Sequence, residues 1–230
     1  MLPYACNNPT KTMQYKLTQL QNEPPVTKDW DATVWNNIDP LVLTNYMGDK
    51  PEHFPDTQVK LAYDDNAIYV NFRVEDQYVK AIYNRNQDPV YKDSCVEFFF
   101  TPGENVDSGY FNLEMNCGGT MLFHHQIVPR KKAVKISETD IGQIEVIASL
   151  PEIVNPEISQ KLYWQVSYRI PFSILKNYHE FSQPHPGTIW RANFYKCADE
   201  TSHPHWLTWA PIDLPTPDFH RPEFFGELRF

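Results

Sequence analysis

The sequence predicts an all-β fold, a β-sandwich of two packed, mainly antiparallel sheets, and three observations carry that prediction. Apolar residues recur at every second position in run after run, whereas stripes with the 3.6-residue period of an amphipathic helix are missing. Twenty prolines spread along 230 residues forbid long helices and suit many loops between short strands. Aromatic residues make up 14% of the chain, with 14 Phe, 13 Tyr and 6 Trp, enough to fill a core between two sheets.

The elements follow in order. One helical turn is expected at 31–36. Val59, Leu61 and Tyr63 share one strand face, and Ile68, Val70, Phe72 and Val74 share a face of the next. Between them Asp64-Asp65-Asn66 tolerates the dihedrals of a tight turn, so the pair reads as a hairpin. Residues 94–100 are apolar on both faces except for Glu97, the pattern of a central strand covered on two sides. In 110–116, Phe111, Leu113 and Met115 alternate with Asn112, Glu114 and Asn116, so one face packs and the other is polar. Gly118-Gly119 turns the chain into a return strand over 120–128. Alternation resumes at 144–150 and 162–170, a short helix starts at Pro171, and 189–197 makes another strand. Eight to eleven strands result. Residues 1–230 are expected to form a single domain with 1–23 as a lead-in, since sandwiches of this length fold as one unit.

Charge narrows the partners. A formal net charge of −9, with Lys and Arg scattered, leaves no electrostatic footprint for nucleic acid or anionic lipid. No run of about 18 apolar residues exists, so no membrane insertion is expected. The start, Met1-Leu2-Pro3-Tyr4-Ala5-Cys6, lacks the basic and apolar segments of a secretory leader. The default compartment is the cytoplasm, or the periplasm or exterior if the chain is trimmed. Cys6, Cys95, Cys117 and Cys197 include no C-x-x-C pair, and Cys95 and Cys197, inside apparent strands, read as small buried hydrophobes.

Two segments stand out chemically. Tyr91 and Phe219 each sit in a polar loop beside a strand-like run. Two flat apolar faces opposed across a gap suit the C–H-rich face of a sugar ring. The order of Asp29-Trp30, the hairpin 61–70, Tyr91-Lys92-Asp93-Ser94-Cys95-Val96-Glu97-Phe98, Ile170-Pro171-Phe172 and Phe225-Gly226-Glu227-Leu228-Arg229-Phe230 resembles the family 9 carbohydrate-binding modules. The likeness runs from about residue 24 to the end. It implies a β-sandwich that grips an oligosaccharide or polysaccharide between two stacking aromatics, without catalysis, in the service of polysaccharide degradation. By position it implies Tyr91 and Phe219 as the aromatics and Glu97 as the binding glutamate. Two departures are visible: Tyr and Phe stand where sugar-binding members commonly carry Trp, and Asn112 stands where the family carries an arginine.

Around this core the expected site adds Asn112 and Asn193 as readers of hydroxyls, with Trp209 and His220 at the rim. Each has a plainer alternative. Glu97 suits a structural ion pair with Arg191 or Arg169, and Asn112, Glu114 and Asn116 suit a solvated strand face. Glu97 and Glu114 also fit the paired carboxylates of a glycoside hydrolase, and a scaffold that has lost sugar binding is a third option. No cofactor is required. Structural calcium on loop aspartates Asp64, Asp65, Asp76, Asp93 or Asp107 stays open. Adjacent His124 and His125 point to opposite faces of a strand, and His203 and His205 lack a third ligand nearby, so both pairs read as ordinary histidines.

Overall fold

The computed structural model describes residues 12–230, so Cys6 and the leader reading of residues 1–6 lie outside the described residues. The architecture is an all-β sandwich with 17 strands among the described residues. The excess over the expected number comes from edge pieces of two to four residues, too short to show a period. No helix among the described residues is long and apolar enough to cross a membrane.

The larger sheet has nine strands. Its path runs β1 (Gln14–Lys16), β17 (Gly226–Arg229), β15 (Ile189–Cys197), β8 (Cys95–Thr101), β9 (Tyr110–Asn116), β10 (Met121–Val128) and β11 (Lys132–Lys135). Beside β15 lies β16 (Trp206–Thr208), with β4 (Asn45–Tyr46) beyond it. The six-stranded sheet runs β12 (Glu145–Ala148), β14 (Leu162–Pro171), β6 (Ala67–Asp76), β5 (Asp56–Tyr63) and β2 (Thr18–Gln19), with β3 (Leu41–Val42) also on β5. A small ribbon pairs β7 (Val79–Ala81) with β13 (Val154–Ile158). Pairing is antiparallel except for β1 on β17 and β2 on β5. Residues 14–19, expected as lead-in, therefore cross from one sheet to the other around Leu17, which is buried. The two helices are single turns, α1 (Glu138–Ile141) and α2 (Phe172–Lys176), the latter preceded by Pro171 as expected. At 31–36 one bond of helical type, Asn36 N–H to the Ala32 carbonyl at 3.2 Å, marks the predicted turn.

The core lies between the sheets. Val59, Leu61, Val70 and Phe72 face Phe98, Phe100, Leu113 and Phe194, all buried. Phe98 stacks on Phe194 with ring centroids 4.8 Å apart and planes 1° apart. Trp209 belongs here, which corrects its expected place at a pocket rim: it is buried against the edge of Phe194 at 5.9 Å and over Gly226. A Cβ at residue 226 would lie 2.6 Å from that indole and 2.8 Å from the Met13 carbonyl, so the close approach demands glycine. One charged cluster also bridges the sheets. Asp76 meets Lys196 at 3.4 Å and His53 at 2.7 Å and accepts from Trp164 Nε1 at 2.9 Å. Burial opposes ionisation of Asp76, but the Lys196 and His53 contacts prevail and hold its carboxyl well below the usual range.

Candidate functional site

The outer face of the nine-stranded sheet carries a second, smaller buried cluster, and the site forms there. Because side chains alternate along β8, Val96, Phe98 and Phe100 enter the core while Cys95, Glu97 and Phe99 face outward. Register sets Cys197, Tyr195 and Asn193 of β15 beside these three on one flank, and Asn116, Glu114 and Asn112 of β9 on the other. The polar face of β9 is not solvated, which corrects that alternative: Asn112, Glu114 and Asn116 are 1%, 5% and 0% exposed.

Loops build two walls above this floor. Tyr91 stands in a 3-10 turn, Val90–Lys92, that closes onto Asp93. The Asp93 carboxylate accepts from the Ile82 and Tyr83 N–H groups at 3.1 Å and from Asn116 Nδ2 at 2.9 Å. The Tyr91 carbonyl accepts from the Asp199 N–H at 3.2 Å. Asp199 in turn accepts from Trp206 Nε1 at 2.7 Å, fixing that indole on the same side. On the opposite wall the Tyr195 hydroxyl donates to the Phe219 carbonyl at 3.1 Å, and the two rings stack at 4.1 Å and 10°. His220 Nδ1 shares a 2.7 Å hydrogen bond with the Tyr110 hydroxyl, and burial lowers the pKa of its imidazole to about 4. Arg130 pairs with Asp218 at 2.6 Å. The half-open cleft measures about 240 Å³, just under the range of drug-sized pockets.

Glu97 and Glu114 are direct cross-strand partners that both line the cleft. Glu97 Oε1 accepts the Cys197 S–H at 3.1 Å. Glu114 Oε1 accepts from Asn112 Nδ2 at 3.0 Å, and Asn112 Oδ1 accepts from Gln126 Nε2 at 3.0 Å. The remaining oxygen of each glutamate, Oε2, is buried without a partner. Burial first, then the Cys197 and Glu114 groups beside it, raise the Glu97 carboxyl well above the ordinary range. Burial likewise raises Glu114 to about 7. Carboxyls in this state keep protons that exposed acids have lost.

Of the residues singled out in the sequence, Tyr91, Glu97, Phe219 and His220 meet around the cleft. Phe219 offers less than an open face, since Tyr195 covers one side and only 8% of the residue is exposed. Asn112 stands behind Glu114 rather than in the cleft. Asn193 spends its amide on residue 210, donating to the Ala210 carbonyl at 3.0 Å and accepting from its N–H at 2.8 Å, so it braces a loop. The expected ion pair is also corrected. Arg191 donates to the Phe225 and Gly226 carbonyls, and Arg169 in the other sheet meets Glu23 and Glu145. Three of the aspartates weighed for calcium have local duties: Asp64 accepts from the Asn66 N–H at 2.7 Å, and Asp76 and Asp93 hold the groups described above. Sequence reasoning missed Trp206, Asp199, Arg130 and Asp218. For Trp206 no periodic signal was available, since Trp206-Leu207-Thr208-Trp209 does not alternate.

The fold and the site together give a β-sandwich with a cleft of aromatics and acids on one sheet face. Residues 25–230 match the model of carbohydrate-binding family 9, a family of non-catalytic modules, and the chain belongs to that family. No curated protein matches the chain. Among solved structures it is similar to a protein of Bacteroides uniformis ATCC 8492 proposed to bind carbohydrate, with 27% identity and a TM-score of 0.84 over 96% of this chain and 100% of that one. A family 9 module from Caldicellulosiruptor kristjanssonii shares the fold. Its complex with cellotriose gives 17% identity and a TM-score of 0.62, covering 94% of this chain and 93% of that one. The complex with glucose gives 19% and 0.60, covering 94% and 95%.

Proposed function

We propose that the cleft binds a saccharide without cleaving it, and that residues 1–230 act as one module in polysaccharide degradation. A sugar ring lies against Tyr91 and Trp206, with Phe219 closing the rear wall. Glu97 and Glu114 exchange hydrogen bonds with its hydroxyls through their free Oε2 atoms. The observation that supports this most is the pair of buried carboxyl oxygens without partners, on two residues that line a cleft walled by aromatic rings. A buried polar atom left unpaired is costly, and a ligand hydroxyl relieves that cost. The related module was solved with glucose and with cellotriose, so β-glucans are the first probes.

Isothermal titration with a panel of oligosaccharides tests the reading. Saturable binding in the micromolar to millimolar range, about −4 to −8 kcal/mol, is expected for so small a contact. Tyr91→Ala and Trp206→Ala should each weaken it by about 1–3 kcal/mol, if sugar stacking behaves like base stacking. Unchanged affinity in both variants would refute the assignment. The Glu97–Glu114 register favours one rival, since opposed residues on neighbouring strands sit about 5 Å apart, near the carboxylate spacing of retaining glycosidases. That rival requires turnover of aryl glycosides that collapses in Glu97→Gln; binding without turnover excludes it.

A further inference from the structure

We propose that Cys95, Cys197 and Glu97 form a site for one zinc ion at the floor of the cleft. The two cysteines are direct partners across β8 and β15, and Glu97 follows Cys95 by two residues on the same face. Their sulfur and carboxylate atoms all lie within 4.8 Å of one another, the only such group of three among the described residues. Cys197 Sγ is 3.1 Å from Glu97 Oε1. Tetrahedral zinc with bonds of about 2.3 Å to sulfur and 2.0 Å to oxygen sets its ligands roughly 3.5–3.8 Å apart, so the cluster needs only small side-chain rotations.

The donor set selects the metal. Two thiolates and one carboxylate suit zinc and disfavour calcium or magnesium, which take oxygen ligands. Glu97 Oε1, the oxygen next to Cys197 Sγ, is the donor to the ion, so the unpartnered Oε2 is left for the saccharide hydroxyl. Cys117 makes the contrast, since it is also buried yet meets only the Lys80 carbonyl, at 3.7 Å. Glu97 and Cys197 line the cleft, which gives the ion a route from solvent, and Cys95 lies on the same sheet face directly across from Cys197. Three protein ligands leave a fourth position facing the cleft, where water completes the tetrahedron.

Charge and protons balance. The ion displaces the protons of both thiols and of Glu97 into the cleft, and two thiolates plus one carboxylate around a dication leave a net charge of about −1. Binding therefore tightens as pH rises. The assignment stands apart from saccharide recognition because zinc alone is the probe.

Zinc titrated into reduced, metal-free protein against a chromophoric chelator should bind with one ion per chain. Cys95→Ser and Cys197→Ser should each weaken it about 100-fold or more and Glu97→Gln about tenfold, while Cys117→Ser leaves it unchanged. Cobalt on the wild-type protein should show thiolate-to-metal charge-transfer absorption with tetrahedral visible bands, and binding should release about two to three protons per ion. These last readouts hold even if a cysteine variant fails to fold. Absence of the thiolate bands, release of fewer than two protons, or zinc affinity that survives both cysteine substitutions would overturn the proposal.

Discussion

Glu114 is the residue at which burial and function conflict. In the unfolded chain it ionises near 4.5, whereas in the fold burial holds it at about 7. Between those values the folded state binds the extra proton, so stability falls as pH rises from 4.5 to 7 and the full loss applies above 7. Glu114→Gln removes that dependence. Its gain over the wild type should be near zero below pH 4.5 and grow to about 1–3 kcal/mol above pH 7, measured by urea unfolding of metal-free protein. A difference that does not vary with pH would contradict the assigned environment. Comparison with the variant is needed because His124 and His125, lowered to about 4 by burial, contribute the opposite slope as pH falls below 6.5. Glu97 was legible in the sequence as the acid in an apolar strand. Its pairing with Glu114 was open to sequence reading only as one option, because the register that sets the two side by side depends on the loop between β8 and β9.

At the scale of elements, the turn bearing Tyr91 is positioned by the residue that follows it. Asp93 satisfies the Ile82 and Tyr83 N–H groups and Asn116 Nδ2, so the Lys-Asp-Ser run is a clamp for the wall rather than a contact surface. Asp93→Ala strands those donors and should cost about 2–3 kcal/mol in unfolding free energy, together with weaker saccharide binding. Full stability in that variant would show that the turn is held by other means. The long strands were legible because a buried face repeats at every second residue in β5, β6, β9, β14 and β15, because β8 is apolar on both faces, and because a Gly-Gly turn leads into β10. Strands β1, β2 and β16 were not, since two or three residues carry no period. Missing β16 had a direct cost: without it, the alternation that turns Trp206 toward the cleft and Trp209 into the core had no frame.

Across the whole molecule, the cleft lies on the outer face of the larger sheet, not between the sheets. The core therefore specifies the sandwich through Phe98, Phe194 and their neighbours, while the outward row of β8 is free to carry acids and thiols. Composition and periodicity revealed the first of these tasks. The second involves residues 91, 97, 114, 206 and 219, which converge only through tertiary structure, so positional resemblance found some of them and local pattern found few. A structure of the protein with a cello-oligosaccharide tests the central claim most directly. A sugar ring against Tyr91 and Trp206, with hydroxyls within about 3 Å of the Oε2 atoms of Glu97 and Glu114, is the predicted result. A ligand seated instead on the six-stranded sheet, beside Arg169 and Lys176, with the cleft over β8 left to solvent, would contradict it.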